Sequence, residues 1–150
     1  MSDAACPTSS VMLTGGGAME AMEVEQDPVE ACIATCAECS QICLAHVRHC
    51  LEIGGEHAAA AHIAMLLTCA NVCRTASELM SIGSDWYPTV CDLCAQVCEE
   101  CAEHCATMDD MEDCVAACRH CAQTCRIMVA EMATEEPSDA ASERSTETMN

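Results

Sequence analysis

The sequence predicts an all-α protein, an antiparallel up-and-down four-helix bundle with a Cys-lined interior. Three observations predict it. Four segments between residues 27 and 133 carry helix start and stop signals. The links between them are only a few residues long, which folds each helix back against its predecessor. Sixteen of the seventeen Cys fall within those segments, at steps of three and four almost throughout.

Residues 1–26 mix Ser, Thr, Met, Glu and the run Gly15 to Gly17 without periodicity, and read as a disordered acidic tail. The first helix opens at Asp27-Pro28-Val29-Glu30. Here an acid stands at the N-cap, a Pro occupies the first helical position where its missing N–H does no harm, and a Glu can close a capping box. Gly54-Gly55 stops this helix. The second runs from about Glu56 to Ile82, and Gly83 supplies the left-handed residue that commonly ends a helix. Ser84 or Asp85 caps the third, which carries Pro88 in its first turn and continues to about Thr107. Asp109 and Glu112 repeat the capping-box spacing and start the fourth, which ends before Pro137. From 134 to 150, Ser, Thr, Glu and Ala recur as a second disordered acidic tail. The chain thus divides into a tail (1–26), a bundle (27–133) and a tail (134–150).

Leu, Ile, Val and Phe together supply 22 of the 150 residues, a content that with a net charge of -20 ordinarily signals disorder. Cys repairs the deficit, because a free thiol packs as a small hydrophobe. A core of thiols still buries less apolar area than one of Leu and Phe, so bound metal is expected to add to stability. The chain has 25 acidic residues against 5 basic ones, all Arg, so phosphate repulsion excludes nucleic acid as a partner. No run of 18 apolar residues occurs, so no membrane span is expected. No Lys or Arg precedes Arg48, which leaves no basic region for a signal peptide, and the expected location is cytoplasmic. There thiols stay reduced and Cys-rich patterns more often mean metal than disulfide.

The Cys spacing carries the chemistry. The first helix holds Cys32, Cys36, Cys39, Cys43 and Cys50, and the second Cys69 and Cys73. The third holds Cys91, Cys94, Cys98, Cys101 and Cys105, and the fourth Cys114, Cys118, Cys121 and Cys125. Steps of three and four put each set on one helix face, and in an antiparallel bundle that face is the interior. Only Cys6 stands outside. Disulfides within a helix are disfavoured, because Cβ atoms at i and i+4 sit well beyond the roughly 4 Å that a bridge prefers. Zinc typically uses short knuckles that wrap a tetrahedron, and the ferredoxin pattern of iron–sulfur clusters is absent. Copper(I) selects thiolate and thioether and accepts few ligands, so thiolates that bridge neighbouring ions turn a stripe into a row of sites for many copper(I) ions per chain. The alternative is a zinc or mixed soft-metal thiolate sink. No enzyme is expected: the C-x2-C pairs lie inside helices without a βαβ context, and Ser-His-Asp, glycine-loop and HExxH signatures are missing.

The runs LLTCANVCRTASELM (66–80), VCDLCAQVCEECAEHC (90–105) and DCVAACRHCAQTC (113–125) resemble the copper storage proteins, a family of Cys-rich four-helix bundles. The resemblance spans roughly residues 28–133 and is similar to the cytosolic branch. It implies copper storage, buffering or detoxification, exchange with copper donor or acceptor proteins, and a homo-oligomer, commonly a tetramer. Two features depart from it: Cys6 lies outside the pattern, and Asp85-Trp86-Tyr87-Pro88 stands where relatives are expected to carry a His.

Extending each stripe to the helix ends locates an expected mouth. His46 lies between Cys43 and Cys50, His62 stands seven before Cys69, Met108 three after Cys105 and Met111 three before Cys114. In the antiparallel arrangement all four reach one pole, with His49, His57 and His104 nearby. Neutral imidazole and thioether hold copper(I) less tightly than thiolate, which suits transfer better than storage. The opposite pole offers Met80, Met128 and Met132.

Overall fold

The computed structural model describes residues 27–135, with four helices: α1 (Pro28–Ile53), α2 (Ala60–Ser81), α3 (Tyr87–Cys105) and α4 (Glu112–Glu135). Among the described residues there is no strand. Cys6 and both tails expected to be disordered lie outside them, apart from the last turn of α4, which runs two residues past the expected boundary at 133.

The helix ends follow local chemistry. Asp27 Oδ1 accepts the Val29 N–H at 3.0 Å with Pro28 in the first turn, and α1 closes at Gly54, whose φ of 78° a side chain would resist. The second segment is not one continuous helix. A 3-10 turn, Gly55–Ala58, precedes α2, and Ala59 is extended at φ -58° and ψ 137°. Its far end is the expected glycine stop: the Gly83 N–H reaches the Met80 carbonyl at 3.1 Å and the Ser84 N–H reaches Leu79 at 3.0 Å, the paired bonds of a Schellman motif. Ser84 Oγ then accepts the Trp86 N–H at 3.3 Å just before α3 begins. The third helix ends at Cys105, two residues short of the expected Thr107. There the Thr107 and Met108 N–H groups turn back to His104 and Cys105 in tight i→i+3 bonds. Asp110 takes a φ of 59°, so α4 starts at Glu112 with the Met111 carbonyl accepting its first backbone bond, from Val115.

Each helix packs against two neighbours, α1 and α3 both lying between α2 and α4, so the four enclose one axis. Around that axis the interior is nearly all sulfur and small side chains: the sixteen helical Cys, with Ala70, Ala76, Ala95, Ala102 and Ala122 at the flanks and Leu66 as the one buried Leu. Polar ties set the register, among them the Ser77 hydroxyl of α2 donating to the Ile33 carbonyl of α1 at 3.3 Å. The Ser40 hydroxyl donates to the Ala70 carbonyl at 2.8 Å, joining α1 to α2, and the Thr35 and Thr124 hydroxyls meet at 2.7 Å between α1 and α4. The described Arg residues stay outside, as in the exposed Arg126 pairs with Glu99 at 2.7 and 2.8 Å, which contribute little to stability. None of the described helices is long and apolar enough to cross a membrane.

Candidate metal centre

All sixteen helical Cys face the axis, each no more than 1% exposed, and all are free thiols. The antiparallel order brings sulfurs from different helices together. Cys32 and Cys36 of α1 both lie 3.5 Å from Cys125 of α4, Cys73 of α2 lies 3.4 Å from Cys98 of α3, and Cys105 lies 3.8 Å from Cys114. Neighbours one turn apart on a single helix are also close, at 3.9 Å for Cys32 and Cys36 and 4.0 Å for Cys69 and Cys73.

These contacts form overlapping groups in which all sulfurs lie within 4.8 Å of one another. The triad Cys32, Cys91 and Cys125 shares Cys125 with the quartet Cys36, Cys94, Cys121 and Cys125. That quartet shares Cys121 with Cys39, Cys73, Cys98 and Cys121, which in turn shares Cys39 with Cys39, Cys43, Cys69 and Cys118. The last of these overlaps Cys43, Cys101, Cys114 and Cys118 through two thiols. A continuous sulfur column follows, with no break at which one site ends and the next begins.

Neighbouring thiols in the column push one another in opposite directions: hydrogen bonds from Cys118 and Cys105 favour the thiolate at Cys39 and Cys101 respectively, while other members are held protonated. Cys101, Cys114, Cys39 and Cys43 crowd the Cys118 sulfur and, together with burial, hold its proton on; Cys125, Cys36, Cys39 and Cys73 do the same to Cys121. Among the described residues every Arg side chain is exposed, and the sequence contains no Lys. The interior therefore offers no cation to balance a thiolate except a bound metal ion.

The pole formed by the ends of α1 and α3 and the starts of α2 and α4 differs. Cys50 Sγ lies 3.3 Å from His62 Nε2, 3.6 Å from Met111 Sδ and 3.7 Å from His57 Nδ1. Burial, then repulsion from the nearby His104 and His57, hold His62 below the usual imidazole range, so it is a neutral donor. Burial pushes the Cys50 thiol up. The His62 and His104 rings stack with centroids 5.1 Å apart, and His62 Nδ1 and His104 Nε2 are both buried without a hydrogen-bond partner.

The structure thus brings His62 and Met111, both expected at the mouth, onto Cys50. Met108 is half-buried and lines, with Met111 and Cys105, a neighbouring cavity of about 320 Å³. His46 does not join them. Its Nδ1 donates to the Ile42 carbonyl of its own helix at 2.9 Å, and its ring lines an outer groove between α1 and α4 together with His120. At 3.6 residues per turn His46 falls about 40° off the centre of the α1 stripe, enough to turn a long ring outward. His57 takes the place expected of His46. Spacing marks it only as a residue near the pole, because a continuous second helix would turn it about 120° away from Cys69, whereas the 3-10 turn folds it over Cys50. The Gly54-Gly55 pair is the available signal, marking a chain reversal longer than a simple stop.

A sequence model of the family described as copper storage protein matches residues 25–130. Among curated proteins none matches the chain. Solved structures are similar to it. A Nitrosospira multiformis protein is 43% identical over 69% of this chain and 96% of its own, with a TM-score of 0.68. Copper(I)-bound copper storage protein BsCsp3 is 33% identical over 69% of this chain and 99% of its own, with a TM-score of 0.64. Apo-Csp3, copper storage protein 3 from Bacillus subtilis, is 33% identical over 67% of this chain and 97% of its own, with a TM-score of 0.61.

Proposed function

The chain belongs to the copper storage protein family, and on that premise we propose that its sixteen interior thiols store many copper(I) ions per chain. The observation that carries this reading is an unbroken sulfur column in an interior that holds no cation. Distance alone does not choose the metal, because an ion at about 2.3 Å from four sulfurs at tetrahedral angles sets sulfur–sulfur edges of about 3.8 Å. The contacts here span that value. Charge does choose. Four zinc ions in separate four-thiolate sites use all sixteen thiolates and leave eight negative charges unbalanced in the core, at several kcal/mol for each buried charge. Copper(I) with bridging thiolates reaches one ion per thiolate and leaves none. The sharing of Cys39, Cys43, Cys118, Cys121 and Cys125 between groups is what bridging requires.

Storage needs a reducing surrounding, since fifteen thiols in contact oxidise readily, and this supports a cytoplasmic location. The exposed Leu44, Leu51 and Ile53 of α1 and Leu67 of α2 support association of bundles into a homo-oligomer, with the tetramer its expected form. The Cys50 pole, with His62, Met111 and the Met108 cavity, serves as the mouth through which copper passes to and from donor and acceptor proteins. The protein acts as a store and not as an enzyme.

Competition between metals tests the choice. Chain saturated with zinc(II) under anaerobic conditions is titrated with copper(I), and zinc release is followed by a colorimetric chelator. Complete displacement with uptake of copper well beyond the zinc released is expected. Zinc that stays bound, or a one-for-one exchange, contradicts copper storage and favours the soft-metal sink.

A further inference from the structure

The geometry points to a second kind of metal site at the mouth: a mononuclear centre of Cys50, His57, His62 and Met111 that holds copper(II) as well as copper(I). The inference rests on copper being the cargo and concerns one ion only, not the column.

The donor set carries it. One thiolate, two imidazoles and one thioether is the ligand combination of blue-copper centres, in which both oxidation states are bound without rearrangement. The distances from Cys50 to the other three donors are close to what an ion needs. An ion about 2.3 Å from sulfur and about 2.0 Å from nitrogen at a tetrahedral angle sets the sulfur–nitrogen edge at about 3.5 Å. Cys50 Sγ stands 3.3 Å from His62 Nε2 and 3.7 Å from His57 Nδ1, with Met111 Sδ at 3.6 Å.

The site also lacks what would destroy copper(II). In the column each thiol touches others at 3.4–4.0 Å, so two neighbours can join as a disulfide and deliver two electrons to two copper(II) ions. Cys50 has His57, His62 and Met111 as its close contacts, and no thiol is among them. A copper(II) thiolate there has no thiol in contact with which to form a disulfide directly. Oxidation of the bound ion is then a single-electron step: copper(I) gives one electron to an outer-sphere acceptor, Cys50 remains a thiolate, and no ligand bond breaks.

Chain fully loaded with copper(I) without oxygen is treated with one equivalent of ferricyanide, whose iron(III) becomes iron(II). About one copper(II) per chain is expected by electron paramagnetic resonance, with the narrow hyperfine splitting and the intense visible thiolate-to-copper absorption of a centre built from one thiolate, two imidazoles and a thioether. Cys50→Ser should abolish both signals while lowering copper(I) capacity by no more than about one ion. His57→Ala, on a surface turn outside the long helices, should convert the signal to that of ordinary square-planar copper(II) without disturbing the fold, and Met111→Leu should keep the signal and shift it. No copper(II) signal in the parent, or one unchanged in Cys50→Ser, overturns the inference and leaves the storage reading standing. Normal signals with a capacity of only one ion would do the reverse.

Discussion

From Cys32 to Cys118 each thiol of the column is surrounded by other thiols, whereas Cys50, on the same face of α1 as Cys32 to Cys43, meets two imidazoles and a thioether. The two regions share a stripe, a burial level and a residue type. They differ in what the neighbouring helices bring. Where α2 and α4 present Cys69, Cys73 and Cys118, the thiols of α1 meet sulfur; where they present His62 and Met111, one thiol meets imidazole and thioether instead. A spacing of three and four therefore specifies burial, and the identity of the facing residues specifies the chemistry.

The largest effect should come from breaking the column at its shared thiols. Replacing Cys39, Cys43, Cys118 and Cys121 together by Ser should remove at least four copper(I) ions per chain, and more if bridging links neighbouring sites, as measured by chelator competition. Each buried hydroxyl left without a partner costs about 1–3 kcal/mol, so circular dichroism must show that the variant is folded. Next comes the coupling of metal to stability. Copper present at about a thousand times its dissociation constant stabilises the fold by about 4 kcal/mol per independent site, so the stripped chain should melt many degrees below the loaded one in a calorimeter.

A smaller effect separates the two regions. His62→Ala should slow both loading and chelator removal several-fold while bound copper falls by no more than about one ion, and His46→Ala should change neither rate. Equal slowing by both variants would return His46 to the mouth and contradict its outward placement. Loading should release protons, because thiols such as Cys118 and Cys121 hold theirs until metal replaces them; binding therefore tightens as pH rises, and a pH-stat measures the release. The smallest effects lie at the opposite end. Asp27→Ala removes the cap on α1, worth about 1 kcal/mol, and should lower the melting temperature slightly without altering copper kinetics. Cys6→Ser should leave capacity unchanged.

The fold and the column were legible in the sequence because both rest on periodicity and caps: sixteen Cys in phase, Asp27-Pro28 at a start and Gly83 at a stop have one physical reading each. The Cys50 site was only half legible. His62 and Met111 could be placed by extending a phase, but His57 belongs to a turn, where no period applies, and its approach to Cys50 depends on φ values at Gly54 and Gly55 that sequence spacing does not encode. His46 shows the converse limit. Its position lies at the edge of the stripe, and a ring nitrogen satisfied by the carbonyl four residues earlier holds it away from the axis. Phase predicts where a side chain starts, and the available hydrogen bonds decide where it ends.

The column, and not a few discrete sites, should hold the metal. Anaerobic titration of the reduced chain with copper(I) against a strong colorimetric chelator counts the ions directly. On the order of ten or more tightly held ions per chain are expected from the fifteen bridging thiols of the column. Saturation at about one to four ions would mean separate sites of several thiolates each, and would contradict storage by a shared sulfur column.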